Sequence, residues 1–156
     1  MKNKFIPAST LIAGVFIAVS FFSSCNKDDE NDNTPSSKTA LLSAHSWVMA
    51  DFLINDTTFF SFIPTCEKDN RFTFTAMGTF TEDEGPTKCS PTDPQVVSTG
   101  PWSFANNETR LIIAPGTADE MMADIDRLDA DTFIVSMTSY DSTFATTTVI
   151  KQVFSR

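Results

Sequence analysis

The stretch from Cys66 to Cys89, CEKDNRFTFTAMGTFTEDEGPTKC, leaves this chain few ways to fold. Phe72, Phe74 and Ala76 alternate with Arg71, Thr73 and Thr75, the period-2 pattern of a strand with one buried face. A second alternating run follows Gly78. A two-residue turn at Met77-Gly78 would set Phe80 against Thr75 and send the two aromatic sets to opposite faces. A three-residue loop, Ala76-Met77-Gly78, sets Phe74 opposite Phe80 instead. It also gives Gly78 the left-handed position of a type I turn with a G1 bulge, where a Cβ would be penalised. The three-residue loop is therefore expected, with a cross-strand aromatic pair contributing about 0.5–1 kcal/mol beyond area burial. Glu82-Asp83-Glu84-Gly85-Pro86 is too polar and turn-prone to continue the second strand.

Cysteines on either side of a hairpin point to a disulfide that closes it. A metal site is the poorer reading, because only Cys66 and Cys89 are at hand and the sole histidine, His45, lies far off in sequence, with no zinc spacing. A Cys66–Cys89 bond would remove roughly 3 kcal/mol of unfolded-chain entropy in the loop-closure account.

Residues 1–24 read as a secretory signal. Lys2 and Lys4 form the basic start, and Leu11 to Phe22 is an apolar run too short to span a bilayer comfortably. Phe22-Ser23-Ser24-Cys25 resembles a bacterial lipobox, which makes Cys25 the expected lipidated N-terminus of the mature protein. The three cysteines then divide into one for lipid and two for the disulfide. Residues 25–38 offer almost nothing apolar to bury and are expected to be a solvated tether. Lys27-Asp28-Asp29-Glu30 resembles the acidic export signal of surface lipoproteins in the Bacteroidota, which implies the outer face of the outer membrane. Without Lys2 and Lys4, 9 basic residues face 20 acidic ones, a balance of −11. Such a surface repels phosphate backbones, so nucleic acid is not an expected partner. Membrane attachment would come from the lipid on Cys25, each buried CH₂ contributing about 0.8 kcal/mol.

Residues 39–156 are expected to form one all-β domain. Leu41 to His45 suits a short helical turn, and Ser46 to Asn55 a first strand with Trp47, Met49 and Leu53 on one side. A turn at Asn55-Asp56 leads to an expected strand over Thr57 to Ile63, stopped by Pro64. Gln95 to Phe104 and Thr109 to Ala114 read as a hairpin around residues 105–108, setting Phe104 opposite Thr109 and Trp102 opposite Leu111. Met121, Ile125 and Leu128 would fit a helical stripe, but strands on both sides favour a strand over Met121 to Leu128. Asp129-Ala130-Asp131 turns it into Thr132 to Thr138, and Asp141-Ser142 leads to a last strand over Thr143 to Phe154. Eight or nine short strands joined by tight turns close naturally into a small antiparallel up-and-down β-barrel, which removes exposed edges; a β-sandwich is the alternative.

Trp47 in the opening strand, Cys66-Glu67-Lys68-Asp69-Asn70, Phe80-Thr81-Glu82-Asp83-Glu84-Gly85, Lys88-Cys89 and Trp102-Ser103-Phe104 together resemble the lipocalin-like lipoproteins of the Bacteroidota. The resemblance covers nearly all of the domain and is most specific in the Cys-to-Cys block. It implies an eight-stranded lipocalin-like barrel that holds a small apolar ligand in its mouth, with Trp47, Phe72, Phe74, Phe80, Trp102 and Phe104 as candidate ligand-binding residues. It also makes Arg156 the candidate to pack on Trp47, whose first-strand motif here is His45-Ser46-Trp47. Eleven phenylalanines outside the signal segment suit either an aromatic-lined cavity or a barrel filled by its own side chains, and the filled core with at most a small pocket is the favoured reading. In the filled case, the domain would serve as a protein-interaction or accessory module of an envelope complex.

No catalytic set is legible. His45 has no neighbour in sequence to orient it, and nucleophile-elbow, phosphate-loop and zinc-helix motifs are missing. The acidic clusters Glu82-Asp83-Glu84 and Asp124 to Asp131 lack a calcium-loop pattern and fall where turns need polar residues. A non-enzymatic protein without cofactor or metal is the expectation.

Overall fold

A computed structural model describes residues 37–156. The expected signal peptide, Cys25 and all but the last two residues of the acidic tether lie outside the described residues. The described chain starts with Ser37, whose hydroxyl accepts a hydrogen bond from the Ala40 amide and so caps a short helix, α1 (Lys38–Leu42).

Nine strands follow: β1 (Ser46–Ile54), β2 (Thr57–Thr58), β3 (Arg71–Phe74), β4 (Thr79–Asp83), β5 (Val96–Ala105), β6 (Arg110–Ile113), β7 (Met121–Leu128), β8 (Thr132–Asp141) and β9 (Thr146–Ser155). From β3 to β9 each strand pairs antiparallel with the next, and β1 pairs with both β3 and β9. That closure makes an eight-stranded up-and-down barrel, as expected of a lipocalin-like domain, with β2 as an extra strand on β1. Closure satisfies the ladder hydrogen bonds that an open sheet would leave along its edges.

The Cys66–Cys89 segment folds largely as its pattern predicts. Phe74 lies opposite Phe80, and the Gly78 amide donates to the Thr75 carbonyl while Thr75 and Thr79 bracket the three-residue loop. Gly78 has φ +85°, the left-handed value the loop requires. The Cys66–Cys89 disulfide is formed, with Cα atoms 5.1 Å apart. It does not join two strand ends, however. Cys66 sits in a second short helix, α2 (Thr65–Lys68), and the bond ties that helix to the loop after β4.

The strand expected over Thr57 to Ile63 is largely replaced by turns. Only Thr57 and Thr58 pair with β1; Phe60–Phe62 form a 3-10 turn and α2 follows directly after Pro64. The cause is where β3 must begin. Arg71 pairs with Val48, well below the Ile54 end of β1, so the intervening chain has to come back down the barrel wall rather than run on as a strand.

The hairpin between β5 and β6 has its loop one residue later than expected. Trp102 faces Ile113 and Phe104 faces Leu111, so the pairing slips by two residues and each side chain keeps its face. Asn106, Asn107 and Glu108 all take left-handed φ values, which asparagine tolerates well, and Thr109 turns its hydroxyl back onto the Asn106 carbonyl. Local side-chain chemistry therefore moved the turn.

Strand β7 covers Met121–Leu128, as expected against its helical stripe, because β6 and β8 offer ladders on both its edges. Asp129 nucleates the following turn by accepting from the Asp131 and Thr132 amides. Those bonds, the Asp131 amide first and the Arg127 side chain next, hold its carboxyl below the usual carboxylate range. Strand β8 runs to Asp141, beyond the expected Thr138, so the last loop is Ser142–Ala145 and β9 starts at Thr146. Strand β1 carries a bulge between Met49 and Asp51, which interrupts the simple alternation read from its sequence.

The barrel interior holds Trp47, Phe74, Phe80, Trp102, Leu111, Phe133, Val135 and Phe154 as one core with Leu42. Helix α1 closes the end where β1 begins: Leu42 and Trp47 are fully buried, and the Trp47 indole N–H donates to the Leu42 carbonyl at 2.9 Å. Arg156 does not supply the expected lid over Trp47; its guanidinium pairs with Asp131 at 2.7 Å on the surface. His45 takes the place beside the indole instead, with ring centroids 4.2 Å apart.

Candidate apolar cavity and its acidic wall

Strand registers place Ile54, Asp83, Met121 and Asp141 toward the end of the barrel opposite α1. From that end a cavity of about 200 Å³ reaches into the interior. Its floor is the aromatic set Phe72, Phe74, Phe80, Phe133 and Phe154, and its sides include Leu111, Ile113 and Val135. Met121 and Met137 stand nearer the open end, where their flexible thioethers can adapt to what enters. The rings are locked by one another: Phe72 meets Phe154 edge-on at 5.1 Å, Phe74 meets Trp102 edge-on at 5.6 Å, and Phe133 stacks on Phe154 at 5.5 Å. Such packing keeps the hollow from collapsing, since every ring already has partners in favourable geometry.

Of the six residues expected to bind a ligand, Phe72, Phe74 and Phe80 line this cavity. Trp47, Trp102 and Phe104 lie outside its lining. Trp47 is spent on α1, Trp102 donates its indole N–H to the Thr75 carbonyl at 3.1 Å, and Phe104 packs edge-on against Trp102. All three sit toward the α1 end, below the hollow. Sequence reasoning missed Leu111, Phe133, Val135 and Phe154. The signal was present in the alternation of β6, β8 and β9, but which face turned inward depended on closure.

Three polar side chains share the lining: Ser98, Asp119 and Glu82. Glu82 is half-buried, and burial raises its carboxyl above the ordinary value. A hydrogen bond from the Asn70 side-chain amide, 3.3 Å from Oε1, works against that rise, and the nearby Glu84 and Glu67 charges add to it.

Glu82 and Phe72 also form the wall of a second hollow, about 290 Å³, where β1 and β3 part below the β2 hairpin. Met49, Ile63, Glu67, Asn70 and Glu84 line it, under the Cys66–Cys89 disulfide. Asn70 is 7% exposed, and its Oδ1 has no hydrogen-bond donor. Gly85 closes this region from the β4 side. With φ +62° and an added Cβ only 2.0 Å from the Asp69 carbonyl oxygen, no other residue would fit there without moving the backbone.

No histidine lines either hollow. The two ring nitrogens of His45 lie 3.0 Å from the Ser46 and Ala130 carbonyl oxygens, which anchor it as part of the α1 closure. Among the described residues no group of three His, Cys, Asp or Glu side chains is arranged to hold a metal ion. What the site offers chemically is a shaped apolar volume with the carboxylates of Glu82 and Asp119 in its lining. Comparison with protein-family models finds no match for this chain, and comparison with curated proteins finds none either.

Proposed function

We propose that this protein is a lipid-anchored lipoprotein of the bacterial outer membrane, similar to the lipocalin-like lipoproteins of the Bacteroidota, whose barrel binds a small apolar ligand. The observation that carries the binding role is the cavity, open at one end and floored by five phenylalanines. Apolar hollows of about 150 Å³ bind a benzene-sized molecule, whereas drug-sized ligands need about 300–1,000 Å³. A volume of about 200 Å³ seats a single ring or a short alkyl chain, and the open end lets the rest of a longer molecule project outward.

The mature chain from residue 25, carrying Cys25→Ser to keep it soluble, should take up the neutral dye N-phenyl-1-naphthylamine with a rise in fluorescence. Ala123→Phe places a ring in the cavity wall and should reduce that uptake at least tenfold while circular dichroism stays β-rich. A wild-type chain that takes up no dye, or an Ala123→Phe chain that binds it equally well, overturns the reading.

The membrane anchor is a separate claim. The lipobox-like Phe22-Ser23-Ser24-Cys25 and the acidic tether support it. Cys25→Ala should move the protein from the membrane fraction to the soluble periplasmic fraction; persistence in membranes after a carbonate wash would refute lipidation at Cys25.

A second reading, an interaction module of an envelope complex, draws on the exposed apolar residues around the open end. Val96, Val97, Met121, Met122, Tyr140 and Phe144 are each at least 47% exposed, more than an isolated soluble barrel needs. Failure of dye uptake, together with a partner crosslinked through Phe144, would favour it.

A further inference from the structure

Among the described residues, the carboxylates that line the two hollows form no ion pair. Glu82 and Asp119 line the aromatic cavity, Glu67 and Glu84 join Glu82 in the hollow behind it, and neither lining includes a lysine, an arginine or a histidine. Glu84 is buried and Glu82 half-buried, whereas Glu67 and Asp119 are exposed; a carboxylate withdrawn from water is ordinarily paired with a cation, and Glu82 is not. Glu82 is the shared member, exposed to both chambers, and among the described residues its only donor is the Asn70 amide. Asn70 itself is more than nine-tenths buried, and its Oδ1 has no donor among the described residues. An unpaired buried acceptor costs stability unless something donates to it. On the wall of the aromatic cavity Glu82 is therefore a half-buried carboxylate with no cation beside it in the lining.

We propose that the ligand of this barrel is an apolar amine, its hydrocarbon part lying on the phenylalanine floor and its ammonium group meeting Glu82 on the cavity wall. The inference rests on the binding role proposed above and names the ligand's polar end. An ammonium carries three donors and no acceptor, and Glu82 with its cross-strand neighbour Ser98, both in the cavity lining, can accept from it. Its positive charge offsets the repulsion among Glu67, Glu82 and Glu84 that works against ionising Glu82. A fatty carboxylate meets the opposite situation: its anion would lie beside Glu82 and Asp119 with no basic partner, and like charges at short range in a partly desolvated site repel strongly. The barrel thus selects by charge among molecules of equal apolar size.

Displacement of N-phenyl-1-naphthylamine from the mature Cys25→Ser chain, by octylamine, octanol and octanoate at pH 7 and 150 mM salt, tests this directly. Octylamine should displace the dye about tenfold more effectively than octanol, and octanoate should be the weakest of the three. Glu82→Gln should collapse the amine-over-alcohol ratio toward one, and Asp119→Asn, at the open end, should reduce it less. Equal potency of the three, or octanoate the strongest, overturns the charge selection while leaving an apolar site intact. If the dye itself does not bind, the binding role fails and the amine proposal fails with it. If Glu82→Gln does not fold, the wild-type ranking and Asp119→Asn still decide.

Discussion

Trp47→Ala lowers the stability of the domain by about 3–5 kcal/mol, the cost of emptying a fully buried indole site. The loss is large because Trp47 does two jobs. Its ring packs against Phe133 at 5.6 Å and His45 at 4.2 Å, and its N–H holds the Leu42 carbonyl at the end of α1. Alanine removes the packing and the donor together, so α1 loses its seat and the bottom of the barrel opens to water. Single domains have only about 5–15 kcal/mol to lose, so a drop of 10 °C or more in Tm should follow. Trp47→Phe separates the two jobs. It keeps most of the apolar volume and leaves the Leu42 carbonyl without its partner, for a cost of about 1–3 kcal/mol. Equilibrium denaturant unfolding of the three chains checks the ranking, and equal midpoints for all three would show that α1 does not depend on the indole.

The second large effect is loss of the disulfide. Cys66 and Cys89 are 23 residues apart, and releasing a loop of that size restores roughly 3 kcal/mol of entropy to the unfolded chain. The folded side suffers as well. The bond holds α2 over the place where β1 and β3 part, and β3 pairs with β1 through only three residues, Ser46, Trp47 and Val48 against Thr73, Phe72 and Arg71. The Cys89 amide also faces Glu84 Oε2 at 3.4 Å, one of few partners for that buried carboxylate. The double variant Cys66→Ala, Cys89→Ala should therefore unfold at a lower urea midpoint by an amount equivalent to about 3 kcal/mol, and reduction of the wild type should reproduce it. A reducing agent that leaves the wild-type midpoint unchanged would show that the bond is dispensable.

Both effects sit on elements that local pattern could specify. The Phe72/Phe74 alternation, Gly78 and the two cysteines set a hairpin and its clip through short-range geometry, and Phe74 does face Phe80. The same holds for the turn at Asp129, where one carboxylate and two amides suffice. Sequence reading went astray where the path depended on distant partners. Nothing within Thr57 to Ile63 says that β3 begins beside Val48, yet that contact is what turns an apparent strand into a 3-10 turn and a short helix. Nothing around Trp102 says that its ring lies below the cavity rather than in it.

The amino-acid sequence by itself determined that this is an all-β domain of short antiparallel strands with an internal disulfide, because strand period, turn residues and cysteine spacing act over a few residues each. Only the tertiary structure decided that the strands close into a ring through β1 and β9, that five phenylalanines leave a hollow instead of filling it, and that Glu82 stands on its wall beside Asn70. Those outcomes follow from closure: strand register and barrel stagger fix which alternate residues meet inside, and no stretch of chain shorter than the whole ring contains that information.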